Sequence, residues 1–180
     1  MKNVLAAGVA AAALVSAASA DVTYTFTNQV WTGFNFNQAY AAGSLSGTLT
    51  GATVNAVLNA STAYTYADDL CIYVAGSPLA LGGMLQCGGF SNLNATQRYG
   101  WANGASNAAN TPVTGTVNFT TGINMGANPT MSIWIGNGYG AAGTSGTFTG
   151  SITLIGVSAV PAPGAIALLG LAGLTGRRRR

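Results

Sequence analysis

Val22-Thr23-Tyr24-Thr25-Phe26-Thr27 alternates a hydroxyl side chain with a larger apolar one. Successive side chains of a strand point to opposite faces, so this period of two predicts a strand with one apolar and one neutral, hydrogen-bonding face. The same reading gives candidate strands at Leu45–Thr50, Ala52–Leu58, Leu70–Ala75, Val113–Thr121, Met131–Ile135 and Thr147–Ile155. Turn residues cluster between them, as at Ala127-Asn128-Pro129 and Gly136-Asn137-Gly138, and no stretch of the interior has helical periodicity. Seven or eight short strands of this kind predict an all-β, antiparallel β-sandwich. A β-solenoid would need a fixed repeat period, and none is present. The stretch from Gly88 to Pro112 is rich in Asn, Ala and Gly and reads as a long surface loop.

Outside this body, the N-terminus opens with Met1-Lys2-Asn3 and an Ala-rich apolar run from Val4 to Val15. Ala18-Ser19-Ala20 then offers small residues of the type cut by signal peptidases, and Asp21 follows. The pattern predicts a secretory signal peptide over 1–20, cleaved between Ala20 and Asp21 and served by the export machinery. Its apolar run falls short of the ~20 residues that span a bilayer.

The other end carries Val160-Pro161-Ala162-Pro163, an apolar stretch from Gly164 to Gly176, and Arg177, Arg178, Arg179 and Arg180. A proline break, a short apolar helix and a cationic stop follow in order. The helix predicts a transient inner-membrane anchor with the arginines held on the cytoplasmic side. These last residues, 160–180, resemble the PEP-CTERM sorting signal of bacteria that carry exosortases. Pro161 and Pro163 match the flanking prolines of that motif, and Ala162 replaces the usual central glutamate. The resemblance implies an exosortase-like processing enzyme as partner and a mature protein at the cell surface or in the extracellular matrix.

The net charge of +3 misleads, because the charges sit at the ends. Between them lie one arginine, Arg98, and three aspartates, Asp21, Asp68 and Asp69, so the interior carries about −2. No basic patch exists to neutralise phosphates, which excludes a nucleic-acid partner. Only 5% of residues are charged, against roughly 25% in a typical soluble domain. Solubility rests instead on Asn, Thr, Ser and Gln, a composition suited to exported surface proteins.

Histidine and glutamate are absent, and Lys2 is the one lysine. That removes Ser-His-Asp and Cys-His nucleophile systems, lysine Schiff bases and histidine metal centres. Asp68 and Asp69 are adjacent and on a strand would face opposite ways, a poor arrangement for a glycosidase pair. The reading is therefore of a protein that is not an enzyme and needs no cofactor. A weak calcium site at Asp68 and Asp69 is the one metal candidate. Cys71 and Cys87, in an exported chain, predict a disulfide closing a loop of about 15 residues, which would stabilise by roughly 3 kcal/mol.

Val54-Asn55-Ala56-Val57-Leu58, then Ala67-Asp68-Asp69-Leu70-Cys71-Ile72-Tyr73-Val74 and Gly76-Ser77-Pro78, resemble the middle of a proprotein-convertase P-domain. That resemblance, over residues 44 to 156, implies a jelly-roll form of the sandwich for the body at 21–159. Jelly rolls carry sugar sites in other proteins, and aromatic side chains stack on sugars. Arg98, Tyr99 and Trp101, in the long loop, are the candidate ligand surface, with a surface polysaccharide as partner; Trp134, between Ile133 and Ile135, reads as core. Two functional readings follow. One is a structural component of the cell surface or matrix, and the other is a carbohydrate-binding surface module.

Overall fold

A computed structural model describes residues 21–77, 83–90 and 95–161. The expected signal peptide (1–20), the sorting-motif residues Ala162 and Pro163, the apolar helix and the four terminal arginines lie outside the described residues. Among those described, no helix is long and apolar enough to cross a membrane.

The body is all-β. Among the described residues nine strands follow in order: β1 Val22–Thr32, β2 Phe36–Tyr40, β3 Leu45–Thr62, β4 Leu70–Ala75, β5 Gly83–Cys87, β6 Ala95–Tyr99, β7 Thr111–Asn124, β8 Ser132–Asn137 and β9 Ser145–Ala159. They form a four-stranded sheet in the order β1-β9-β3-β7 and a five-stranded sheet in the order β2-β8-β4-β5-β6. Every pairing is antiparallel except β5 with β6, which is parallel and departs from the expected all-antiparallel arrangement.

The alternation read from the sequence places the core. Phe26, Val54, Ala56, Ile152 and Leu154 turn inward from the first sheet, and Leu70, Ile72, Val74, Ile133 and Ile135 turn inward from the second. Trp31 binds the cluster together, with its ring 5.4 Å from Phe26 and 5.8 Å from Phe148. Each such fully buried side chain contributes about 1.5–3 kcal/mol of transfer free energy.

Two details of the strands differ from the sequence reading. The segments Leu45–Thr50 and Ala52–Leu58 form one continuous strand, β3. Gly51 looks like a break, yet it is buried at a bulge where an added Cβ would lie 2.6 Å from the Val117 carbonyl oxygen. Close approach between strands requires glycine there. The stretch from Gly88 to Pro112 is no simple loop, because it contributes β6 and the start of β7. Its later part and β6 also shield the edge of β7. Asn103 Oδ1 accepts from the Thr114 N–H at 2.8 Å, and the Tyr99 hydroxyl accepts from the Thr120 N–H at 2.6 Å.

The expected disulfide is absent: Cys71 and Cys87 are both buried free thiols. Strand register explains why. Cys87 stands opposite Ile72 and shares its inward face, whereas Cys71 points to the outer face beside Phe36, Tyr73 and Ala75. Side chains on opposite faces of a sheet cannot be bridged without a one-residue slip in register. Burial pushes the Cys71 thiol well above its ordinary range and the Cys87 thiol up to about 12. Neither is a reactive thiolate, since reactivity follows ionisation.

Candidate functional site

At one end of the sandwich, the connections β3–β4, β5–β6, β6–β7 and β8–β9 enclose a cleft of about 470 Å³. From the β3–β4 connection come Tyr64, Tyr66, Asp68 and Asp69; the β5–β6 connection adds Gly88, Gly89 and Phe90. Gly100, Trp101 and Ala105 arrive after β6, and Tyr139 follows β8.

Asp68 and Asp69 precede β4 and do not sit on a strand, so the opposite faces of a strand do not separate them. They belong to a short 3-10 turn, Ala67–Asp69, which directs both toward the cleft. The turn is held from outside: the Ala67 N–H donates to Ser106 O at 2.9 Å and the Asp68 N–H to Gly104 O at 3.1 Å. The Asp69 carboxylate accepts the Tyr66 N–H at 2.8 Å and is only 3% exposed, while Asp68 is half-buried. Ala63 and Tyr64, just upstream, adopt φ of 49° and 70°, a left-handed pair that costs L-residues roughly 1–2 kcal/mol each. That bend turns Tyr64 outward, where it is 66% exposed.

Glycines bring the other walls into contact. The Gly88 N–H donates to Tyr99 O at 2.9 Å, the Gly89 N–H to Asp68 O at 2.8 Å, and the Gly138 N–H to Asp69 O at 2.8 Å. Gly88 and Gly89 both have φ of 78°, and a Cβ on Gly88 would strike the Leu70 carbonyl and the Trp101 indole nitrogen. Phe90 is thereby carried to the rim at 78% exposure, with its ring edge-on to Tyr139 at 6.2 Å.

Of the three residues expected to form a ligand surface, Trp101 alone lines the cleft, and it is not exposed. At 8% exposure its indole N–H donates to Leu70 O at 2.6 Å, so the ring is a wedge that holds the cleft floor. Tyr99 packs on Phe119 at 5.1 Å and its hydroxyl donates to Gln97 Oε1 at 2.8 Å. Arg98 lies on the exposed side of β6, apart from the cleft residues. Trp134 is half-buried on the outer face of its sheet, its indole N–H donating to Ala75 O at 3.1 Å, not in the main core. Phe90, which the sequence reading did not single out, forms the most exposed aromatic wall; a Gly-Gly-Phe run carries no alternation to mark it.

The electrostatics of the cleft centre on Asp69. Burial raises its carboxyl to about 6, with a further push from the neighbouring Asp68, against the lowering effect of backbone groups of Tyr66 and Phe90. Asp68 is raised too, mainly by burial. The unfolded chain ionises Asp69 near its ordinary 3.8, and the folded chain holds the proton until about 6. Between those values the folded state binds more protons, so stability falls as pH rises. Melting temperatures measured from below pH 3.8 to above pH 6 should therefore decline across that window, and Asp69→Asn should flatten the decline. A profile that rises through the window would contradict this assignment.

Two carboxylates reach the cleft, and no group of three or more Asp, Glu, His or Cys residues suited to a metal occurs among the described residues. The arrangement offers exposed aromatic faces beside hydrogen-bond acceptors, the chemistry of a site for a hydroxyl-rich ligand. No protein family, curated protein or solved structure is matched by the chain.

Proposed function

We propose that this chain is an exported cell-surface protein, processed at the PEP-CTERM-like signal, whose β domain binds an uncharged saccharide without acting on it. The observation that carries the reading is the cleft itself: Tyr64, Tyr66 and Phe90 stand exposed around the Asp68–Asp69 turn. Aromatic rings stack on the C–H faces of sugars, and carboxylates accept from sugar hydroxyls. The ligand is uncharged because the interior carries one arginine, which does not line the cleft. A binding role is favoured over hydrolysis because Asp69 is enclosed and engaged by the Tyr66 N–H, leaving Asp68 without a second open carboxylate.

A jelly-roll form suits this reading. Strands β1 to β4 alternate between the two sheets, as do β7 to β9, giving the interleaved orders β1-β9-β3-β7 and β2-β8-β4-β5 with β6 added at an edge. That ordering supports a double-sheet arrangement of two Greek keys, with connecting loops gathered at the ends. The structural role in a surface matrix then follows from holding polysaccharide in place.

Two measurements test the proposal. Intact mass of the protein recovered from its cells should show a species starting at Asp21 and ending near Val160 to Pro163, outside the inner membrane. A species still ending in Arg180 and held in that membrane would overturn the sorting reading. Titration of neutral oligosaccharides followed by Tyr fluorescence should show saturable binding, lost in the Tyr66→Ala/Phe90→Ala double variant with its melting temperature unchanged. Glycoside turnover, or no binding by any neutral oligosaccharide, would sink the saccharide reading.

A further inference from the structure

The sheet β1-β9-β3-β7 turns Tyr24, Phe26, Val54, Ala56, Ile152 and Leu154 toward the core. Its other face is a lattice. Register places Thr23, Thr153, Thr53 and Thr116 in one row across all four strands. Two residues along, Thr25, Ser151, Asn55 and Thr114 form the next row. All eight positions are exposed or half-buried, and every one carries a hydroxyl or an amide. Sheet geometry sets their repeat at about 4.8 Å across the strands and about 6.7 Å along them.

Five of the seven hydroxyls in these rows are held in place. Thr23 and Thr153 share a hydrogen bond of 2.8 Å, Thr53 and Thr116 one of 2.7 Å, and Asn103 Nδ2 donates to Thr114 Oγ1 at 3.1 Å. Each threonine also presents a methyl group, fixed by its β-branched side chain.

The chemistry of this face excludes most partners. The eight positions carry no charge, and the one carboxylate beside them, Asp21 just before β1, is tied down by the Gly156 N–H at 2.9 Å. So sparsely charged, the face neither attracts nucleic acid nor matches an ionic protein surface. With no aromatic ring, it lacks the platform on which polysaccharide chains stack. A second copy of the chain would gain little, because two hydroxyl faces bury scant apolar area and trade water for equivalent hydrogen bonds. A partner that matches these rows in kind is a rigid, uncharged solid that is itself a periodic array of O–H donors and acceptors.

We propose that this face binds ice. The pinned hydroxyls, spaced by the sheet, meet lattice waters at ordinary O–H···O distances of about 2.8 Å, and the methyl groups fill the gaps between them. Adjacent strands rotate by about 20–25°, so contact centres on Ser151 and Thr153 of β9 with Thr53 and Asn55 of β3. The inference is independent of the saccharide cleft, which lies at one end of the sandwich.

The test is uptake of the protein recovered from its cells into a slowly advancing ice front, with an inert globular protein as the reference. Enrichment in the ice fraction and inhibition of recrystallisation are expected for the native chain and for Tyr66→Ala/Phe90→Ala. Thr53→Lys/Thr153→Lys should reduce both to the reference level. Thr53→Val/Thr153→Val, which keeps the β-branched shape, should weaken both without altering the melting temperature. Exclusion of the native chain from ice would overturn the proposal, as would unchanged uptake by the lysine variant. Exclusion from ice with retention on an insoluble neutral polysaccharide, lost in the same variants, would instead assign the face to a glycan surface.

Discussion

Trp101→Ala is expected to destabilise the domain by about 3–5 kcal/mol, the range for removing a buried large aromatic ring. At roughly 2–4 °C per kcal/mol for a domain of this size, the melting temperature should fall by about 10 °C. Three losses add up at this position. The ring leaves a cavity beneath the cleft, the Leu70 carbonyl loses the indole N–H that meets it at 2.6 Å, and Gly88 loses the surface against which it packs. Trp101→Phe separates these contributions, because it keeps most of the ring and deletes the donor. It should cost about 1–3 kcal/mol, the penalty of leaving a buried carbonyl without its partner. Urea denaturation of both variants checks the order. Equal stability of Trp101→Ala and the native chain would mean that the indole is not a wedge.

Gly138→Ala is the second large effect. A Cβ there would lie 2.6 Å from the Gly89 Cα, 3.0 Å from the Cys71 Cβ and 3.3 Å from the Asp69 carbonyl oxygen. None of these is the free end of a flexible side chain, so the backbone must move. Overpacking of this kind costs about 1–3 kcal/mol. The displacement also separates the β5–β6 and β8–β9 connections, which carry Phe90 and Tyr139, so saccharide binding should weaken along with stability. Gly126→Ala is the control: its new Cβ would meet only Asn124 Oδ1, at 3.4 Å, and thermal melting should scarcely change. A Gly138→Ala protein with native stability and native binding would show that the two connections tolerate separation.

Both predictions concern residues whose roles alternation does not reveal. The long strands were legible because each has one buried face. Leu70–Ala75 was read with its observed limits and β7, β8 and β9 were found within a few residues of theirs, while β1, read as Val22–Thr27, runs on to Thr32. The strands β2, β5 and β6 were not read, being five residues each and too short to show a sustained period of two. Their pairing is decided by neighbours already in place, and short segments carry little pattern of their own. The disulfide expectation failed for a related reason. Spacing and compartment say that two cysteines can meet, but only register says which face each one occupies.

The candidate site divides in the same way. Asp68 and Asp69 stood out as two of the three acids of an almost uncharged chain, whereas nothing in the sequence set Tyr64, Tyr66 and Tyr139 apart from its other tyrosines. That they share one cleft follows from four connections, far apart in the chain, meeting at one end of the sandwich. By itself the sequence determined the all-β class, the inward and outward faces of the long strands, and the lack of histidine, glutamate and interior lysine. Those properties are local, set by a period of two and by composition. Tertiary structure decided the opposed cysteines, the buried Trp101, the raised Asp69 and the threonine rows. Each of these depends on which residue of one strand stands beside which residue of another, a relation that long-range pairing alone establishes.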